Sequence, residues 1–202
     1  MIQGINKNLT VEILNRSAVI RFTRPEIKNP LSIQTLEALK SIFADLESNE
    51  QIAKIIFTGS GDSFASGANL KEIAGTTADK ARAFAGRGQT LMQTIYQSKK
   101  FTVAAIDGFC LGGALDLALS CKRRIAAPRS IFAHPGANLG IITGWSGTQI
   151  LPRLIGEAKA LEMFLTANRL DAKEALRIRL IDKIADVPLQ AALKWKDDDL
   201  SG

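Results

Sequence analysis

Two segments near the start alternate apolar with polar positions, 9–14 (Leu-Thr-Val-Glu-Ile-Leu) and 18–23 (Ala-Val-Ile-Arg-Phe-Thr). A period of two puts one face of a strand on a core, so the pair, joined through Asn15-Arg16-Ser17, predicts a β-hairpin. Arg24-Pro25-Glu26-Ile27-Lys28-Asn29-Pro30 is too rich in proline and turn formers to extend a strand or a helix. Ser32 can cap a helix whose apolar stripe is Leu36, Leu39, Ile42, Phe43 and Leu46. A short strand over 53–58 follows and is closed by Gly59-Ser60-Gly61-Asp62. The pattern then repeats with a helix over 77–98, a strand over 102–106, a helix from Gly112-Gly113, and short strands at 124–127 and 130–133. Residues 146–180 read as two or three helices, the last opened by the acidic capping box Asp171-Ala-Lys-Glu174. Strands alternating with helices predict a layered α/β domain. With no break in composition, residues 1–202 form a single domain, divided at the glycine-rich stretch 136–147 into a core over about 1–145 and a helical part over about 146–202.

Composition narrows the chemistry. A chain of 202 residues, 46% hydrophobic and 23% charged, can bury a sufficient core without disulfides or metals. Cys110 and Cys121 have neither zinc-ligand nor redox-pair spacing and are expected as buried fillers. His134 is the sole histidine, so a two-Cys, two-His zinc site is excluded, no metal site is expected, and any Ser-His-Asp triad must use His134. The net charge of +6 favours anionic partners, but its cations are scattered (Lys99-Lys100, Lys122-Arg123-Arg124, Arg177, Arg179) without interleaved aromatics, so no nucleic-acid partner is expected. No window holds 18 uninterrupted apolar residues, hence no membrane span is expected. Met1–Asn8 lacks the basic and apolar regions of a secretory signal, which predicts a cytoplasmic location.

Two glycine-containing loops enter helices in a way that leaves main-chain N–H groups free: Ser63 to Glu72 and Asp107 to Gly113. Helix N-termini present orphan donors at the positive end of the dipole. Two such donors aimed at one point make an oxyanion hole, each worth about 3–4 kcal/mol in a transition state. Equally, these glycines serve tight turns and close helix–sheet packing. Asp116 stands in an otherwise apolar stretch, Gly112 to Leu119. Burial there raises its pKa and prepares a general acid or base; alternatively it complements the helix dipole or pairs with an arginine of the 122–124 run.

These residues carry a resemblance. Ser66-Gly67-Ala68-Asn69-Leu70-Lys71-Glu72 resembles the A-G-A-D-[IL]-K-E loop of the enoyl-CoA hydratase/isomerase (crotonase) superfamily, and Asp107 to Ala118 resembles its G-x-x-x-G-G-G-x-[ED]-L-A signature. Arg24-Pro25 through Ser32 and Leu139-Gly140 through Gly156 resemble two further family segments, as does Ala160 to Ala172, so that the likeness runs from about residue 9 to about 188. The resemblance implies an α/β fold, a crotonase-like spiral of ββα units with a C-terminal helical part that is shortened here. It implies an acyl-CoA or enoyl-CoA thioester as substrate, hydrated or isomerised, with no tightly bound cofactor because coenzyme A belongs to the substrate. Carried over residue by residue, the Ala68 and Gly113 amides hold the thioester oxygen and Asp116 is the acid or base. Ala65, Ala68, Asn69, Leu70, Lys71, Gly112 and Gly113 line the substrate. A homotrimer or hexamer is implied as well.

The departures bear on the reaction. Family hydratases use a second glutamate after the proline of F-x-x-P-E; here Phe132-Ala133-His134-Pro135 leads to Gly136, which cannot move a proton. His134, two residues earlier, shares its face in an extended segment and is a catalytic candidate for that role, as a base for thioester hydrolysis, or simply a packing residue. Ala114, Ser146 and Asn69 replace family residues without removing a donor. Lys194 to Gly202 matches no family helix, so cover for the acyl pocket is missing or comes from another subunit. The alternative is a non-catalytic homologue that binds CoA thioesters or scaffolds an oligomer.

Overall fold

The computed structural model describes residues 2–196; the acidic end of the unmatched run, residues 197–202, lies outside them. β1 (Ile2–Asn6), β2 (Leu9–Leu14) and β3 (Ser17–Phe22) are antiparallel neighbours. The predicted hairpin is β2–β3, with Val11 opposite Ile20 and Asn15 at φ 55° in the turn, a conformation that Asn tolerates. α1 (Ile33–Ser48) starts where expected: the Ser32 hydroxyl accepts from the Thr35 N–H, and all five predicted stripe positions are buried.

Three consecutive strand pairs build the rest. β4 (Lys54–Thr58) leads to β5 (Ser63–Ala65), β6 (Phe101–Ile106) to β7 (Phe109–Leu111), and β8 (Arg123–Ala126) to β9 (Ile131–Ala133). Each first strand joins a seven-stranded sheet ordered β1-β2-β3-β4-β6-β8-β11, and each second strand joins a four-stranded sheet ordered β10-β9-β7-β5. From β3 onward the large sheet is parallel, as are β5, β7 and β9. Helices α2 (Leu70–Ala74) and α3 (Ala78–Tyr96) follow β5, and α4 (Gly113–Ser120) follows β7. This is a spiral of ββα turns. Strands β5 and β7 lie in segments read from sequence as loops, because three residues show no period.

Beyond a 3-10 turn at Pro135–Leu139 come α5 (Gly147–Ile155), α6 (Glu157–Thr166), β10 (Leu170–Asp171), α7 (Ala172–Arg177), β11 (Lys183–Ile184) and α8 (Pro188–Lys194). Asp171 caps α7 through the Glu174 N–H, as the capping box predicts. The segment expected to be helical also returns one short strand to each sheet, β10 antiparallel to β9 and β11 parallel to β8. Arg124 ties this return down: its Nε and Nη1 donate to the carbonyls of Leu180 and Cys121, and its Nη2 lies 3.1 Å from Asp182. The core is aliphatic with paired phenylalanines, Phe22 edge-on to Phe64 and Phe43 stacked on Phe57. Cys110 and Cys121 are buried and unpaired with each other. Among the described residues no helix is long and apolar enough to cross a membrane, and no three His, Cys, Asp or Glu side chains stand together as a metal set.

Candidate active site

Because β5, β7 and β9 run parallel, with one irregularity in β5 between Ser63 and Ala65, the segments leaving their C-terminal ends emerge side by side. These are Ser66-Gly67-Ala68, Gly112-Gly113 and His134-Pro135-Gly136, and all but Gly67 line one cavity of ≈ 390 Å³. Apolar side chains supply most of the wall: Leu70 and Ile73 from α2, Phe84 from α3, Ile141, Ile142 and Trp145 from the segment before α5, and Phe164 from α6. No Asp, Glu, Lys or Arg is among the lining residues. Such a wall suits a hydrocarbon chain fixed by a few polar groups.

The first two turns touch. Gly67 has φ 86°, and a Cβ built on it would lie 2.5 Å from the Leu111 carbonyl oxygen and 2.9 Å from the Gly113 nitrogen. Only glycine permits both that backbone conformation and that approach. Its carbonyl accepts from Leu31, which anchors the turn. Gly112 donates to the Ala133 carbonyl, whereas the N–H groups of Ala68 and Gly113 have no acceptor among the described turn, loop and cap hydrogen bonds. For Gly113 the reason is positional: as the first residue of α4 it has no carbonyl one turn back.

Asp116, on the first turn of α4, is fully buried. It pairs with no arginine of the 122–124 run, since Arg124 turns to Asp182 instead, and its first-turn place suits the helix dipole. Its Oδ2 accepts from the Thr143 hydroxyl, and its Oδ1 makes no hydrogen bond of normal geometry. Burial raises its pKa to about 7, against the Thr143 hydrogen bond and the nearby Gly147 and Trp145 amides, which favour the carboxylate. Asp116 does not itself line the cavity; it packs behind Thr143 and His134, which do. His134 is 2% exposed, with neither ring nitrogen hydrogen-bonded, and its ring lies against Phe164. Burial lowers its pKa to about 4, so it is neutral near pH 7.

The other sequence-predicted positions divide. Ala68, Leu70, Gly112 and Gly113 reach the cavity; Ala65 is buried in β5, Asn69 caps α2 by accepting from the Lys71 N–H, and Lys71 is exposed, so these three stand outside the lining. At Gly136 a Cβ would lie 2.5 Å from the Ile141 carbonyl oxygen, because residues 140–142 fold back over it and Ile141 donates to the Gly136 carbonyl. Backbone thus occupies the space through which a longer side chain would leave. Ser146, where the family pattern has glycine, takes φ 139° and buries an unpartnered hydroxyl. Most of the lining escaped the sequence reading, Thr143 and Trp145 among it. The carboxylate partner of Thr143 is 27 residues away, and the seat of Trp145 is made by two glycines, neither of which signals a neighbour in sequence.

Comparison with known proteins accords with this geometry. Residues 12–195 match the profile of the family described as enoyl-CoA hydratase/isomerase. The chain is 37% identical to the crotonyl-CoA hydratase of Syntrophomonas wolfei over 179 residues, 88% of this chain and 69% of the relative. It is 34% identical to the short-chain-enoyl-CoA hydratase of Clostridium acetobutylicum, over 89% of this chain and 69% of that one. Among solved structures, Pseudomonas aeruginosa DspI superposes with a TM-score of 0.89 at 34% identity, covering 93% of this chain and 72% of the other. The enoyl-CoA hydratase from Bacillus anthracis superposes at 0.88 and 34% identity, covering 93% and 74%.

Proposed function

This chain belongs to the enoyl-CoA hydratase/isomerase family, and from that premise we propose that it shifts the double bond of an enoyl-CoA thioester, with Asp116 as the one carboxylate that takes and returns the proton. The observation that carries this is the buried carboxylate itself. Its pKa is raised to about 7, one oxygen lacks a partner, and no other carboxylate competes with it, since none lines the cavity itself. A base with pKa near the working pH can both take and return a proton. In the reaction, the thioester oxygen accepts from the Ala68 and Gly113 N–H groups while a proton leaves one carbon. The enolate so formed is held by those two donors, and the same proton returns at the carbon two bonds further along, so nothing is added or lost. Thr143, which lines the cavity and hydrogen-bonds Asp116, passes the proton between substrate and carboxylate. His134, neutral and weakly basic, packs beside Asp116 and does not replace it as the base.

On this reading coenzyme A enters as part of the substrate and no other cofactor takes part. The surplus of 26 Lys and Arg over 20 Asp and Glu supports an anionic substrate. A trimer or pair of trimers and a cytoplasmic site of action complete the proposal. Hydration is the second reading, favoured by the names of both relatives; it needs a water activated without a carboxylate at position 136.

The deciding experiment is a panel of 2-enoyl, 3-enoyl and saturated acyl-CoAs given to the wild type and Asp116→Asn. We expect 3-enoyl and 2-enoyl thioesters to interconvert in the wild type alone. A hydroxyacyl product replaces isomerisation by hydration, equal turnover by both proteins removes Asp116 from the mechanism, and binding without any turnover makes the chain a non-catalytic member.

A further inference from the structure

We propose that Trp145 sets the length of the acyl chain this site accepts, an inference that rests on the acyl-CoA reading above. The indole lines the cavity yet is only 3% exposed, because it is wedged between two helices. A Cβ on Gly88 of α3 would lie 2.2 Å from Trp145 Cδ1, and a Cβ on Gly113 of α4 would lie 2.4 Å from both Cε3 and Cζ3. The pyrrole side of the ring therefore rests on α3, and its benzo edge on the first residue of α4. Phe84, one turn before Gly88, packs against the indole with ring centroids 5.8 Å apart. A ring seated against the backbone of two helices and flanked by Phe84 has little room to shift, since protein interiors are close-packed.

Position gives the wedge its consequence. A thioester oxygen held by the Gly113 N–H puts the next acyl carbons beside the benzo edge that rests on Gly113. Around them the wall is hydrocarbon, from Ile73, Phe84, Ile141 and Ile142, so the class of ligand is a plain acyl chain. Methylenes beyond those the cavity holds meet a fixed ring and must turn back toward the mouth. The substrate class is accordingly the short enoyl thioesters, and the rejection of longer ones is steric.

Isothermal calorimetry with saturated acyl-CoAs of four, six, eight and ten carbons tests this without requiring turnover. Wild type, Trp145→Ala and Trp145→Leu are compared, with free coenzyme A as the control ligand. We expect wild-type affinity to fall beyond the shorter chains, and both variants to move the optimum to longer ones by roughly tenfold for each methylene newly admitted, the low end of what one methylene is worth in an apolar pocket. Affinity for free coenzyme A stays constant. The leucine variant keeps apolar volume at the site and carries the test if the alanine variant does not fold. An unchanged chain-length profile in a folded variant overturns the inference alone. A wild type that binds none of the thioesters overturns the acyl-CoA reading and the inference with it.

Discussion

Asp116 Oδ1 lies 3.7 Å from His134 Nε2, and neither that oxygen nor either ring nitrogen has a hydrogen-bond partner. At that separation the two do not bond directly. Burial drives each toward its neutral form, the carboxyl up to about 7 and the imidazole down to about 4. Near neutrality the histidine is uncharged and the aspartate is half ionised, so the only titration available to the pair in that range belongs to Asp116.

Catalysis should follow that titration. In the wild type kcat/KM is expected to rise with pH through an inflection near 7, as the carboxylate becomes free to accept a proton. Asp116→Asn should lose roughly 10²–10⁴-fold in kcat, the usual contribution of a positioned acid or base, while retaining thioester affinity. A pH–rate series on both proteins, with calorimetric binding alongside, checks this. An inflection that persists in the variant assigns the titration elsewhere.

Stability should show the same two groups with opposite signs. Asp116 has its folded pKa raised from 3.8, so its contribution is full below about 3.8 and is lost as pH rises through about 7. His134 has its folded pKa lowered from 6.5, so its contribution is full above about 6.5 and is lost as pH falls through about 4. Between these limits the slopes, each at most ~1.4 kcal/mol per pH unit, oppose one another. Denaturant melts from pH 4 to 7 should therefore steepen upward with pH in Asp116→Asn and downward with pH in His134→Gln, relative to the wild type. Parallel curves for all three proteins contradict the burial of this pair.

Restoring the missing carboxylate should fail. Gly136→Glu must push its Cβ into the Ile141 carbonyl oxygen, 2.5 Å away, so the 140–142 segment has to move before the glutamate can reach the cavity. We expect a lower melting temperature and no gain of hydroxyacyl product. Gain of hydration with unchanged stability shows that the segment is not held as described.

Contact between the two turns should matter more than any side chain on them. Gly67→Ala is expected to cost about 1–3 kcal/mol from its positive φ alone. It also displaces the Gly113 amide and should lower kcat/KM by roughly 10²–10³-fold, the value of one oxyanion donor. Unchanged activity in a destabilised variant places the oxyanion site away from this contact.

Local pattern made much of the fold legible. The β2–β3 hairpin, the α1 stripe from Leu36 to Leu46 and the Asp171 cap all declare themselves within one element. Strands β5 and β7 did not, for three residues show no period and their reason for being extended is the neighbouring strand. The site divides the same way. Gly67, Ala68, Gly112, Gly113 and Asp116 stand in recognisable turns, while the Thr143 contact to Asp116 and the seat of Trp145 join elements whose closeness only the tertiary fold creates. The arginine pairing considered for Asp116 is settled by a long-range fact of this kind, since Arg124 is engaged by Asp182 from 58 residues away, whereas its place in the first turn of α4 fits the helix-dipole alternative.

Polarisation of the thioester carbonyl can be read directly. Difference infrared spectra of a bound acyl-CoA labelled with ¹³C at the carbonyl, against the unlabelled ligand, isolate the C=O stretch of the complex. Two N–H donors aimed from Ala68 and Gly113 should move that stretch to lower frequency than in water, and Gly67→Ala should return part of the shift. A carbonyl that vibrates as in solution, or a shift indifferent to Gly67→Ala, contradicts the account.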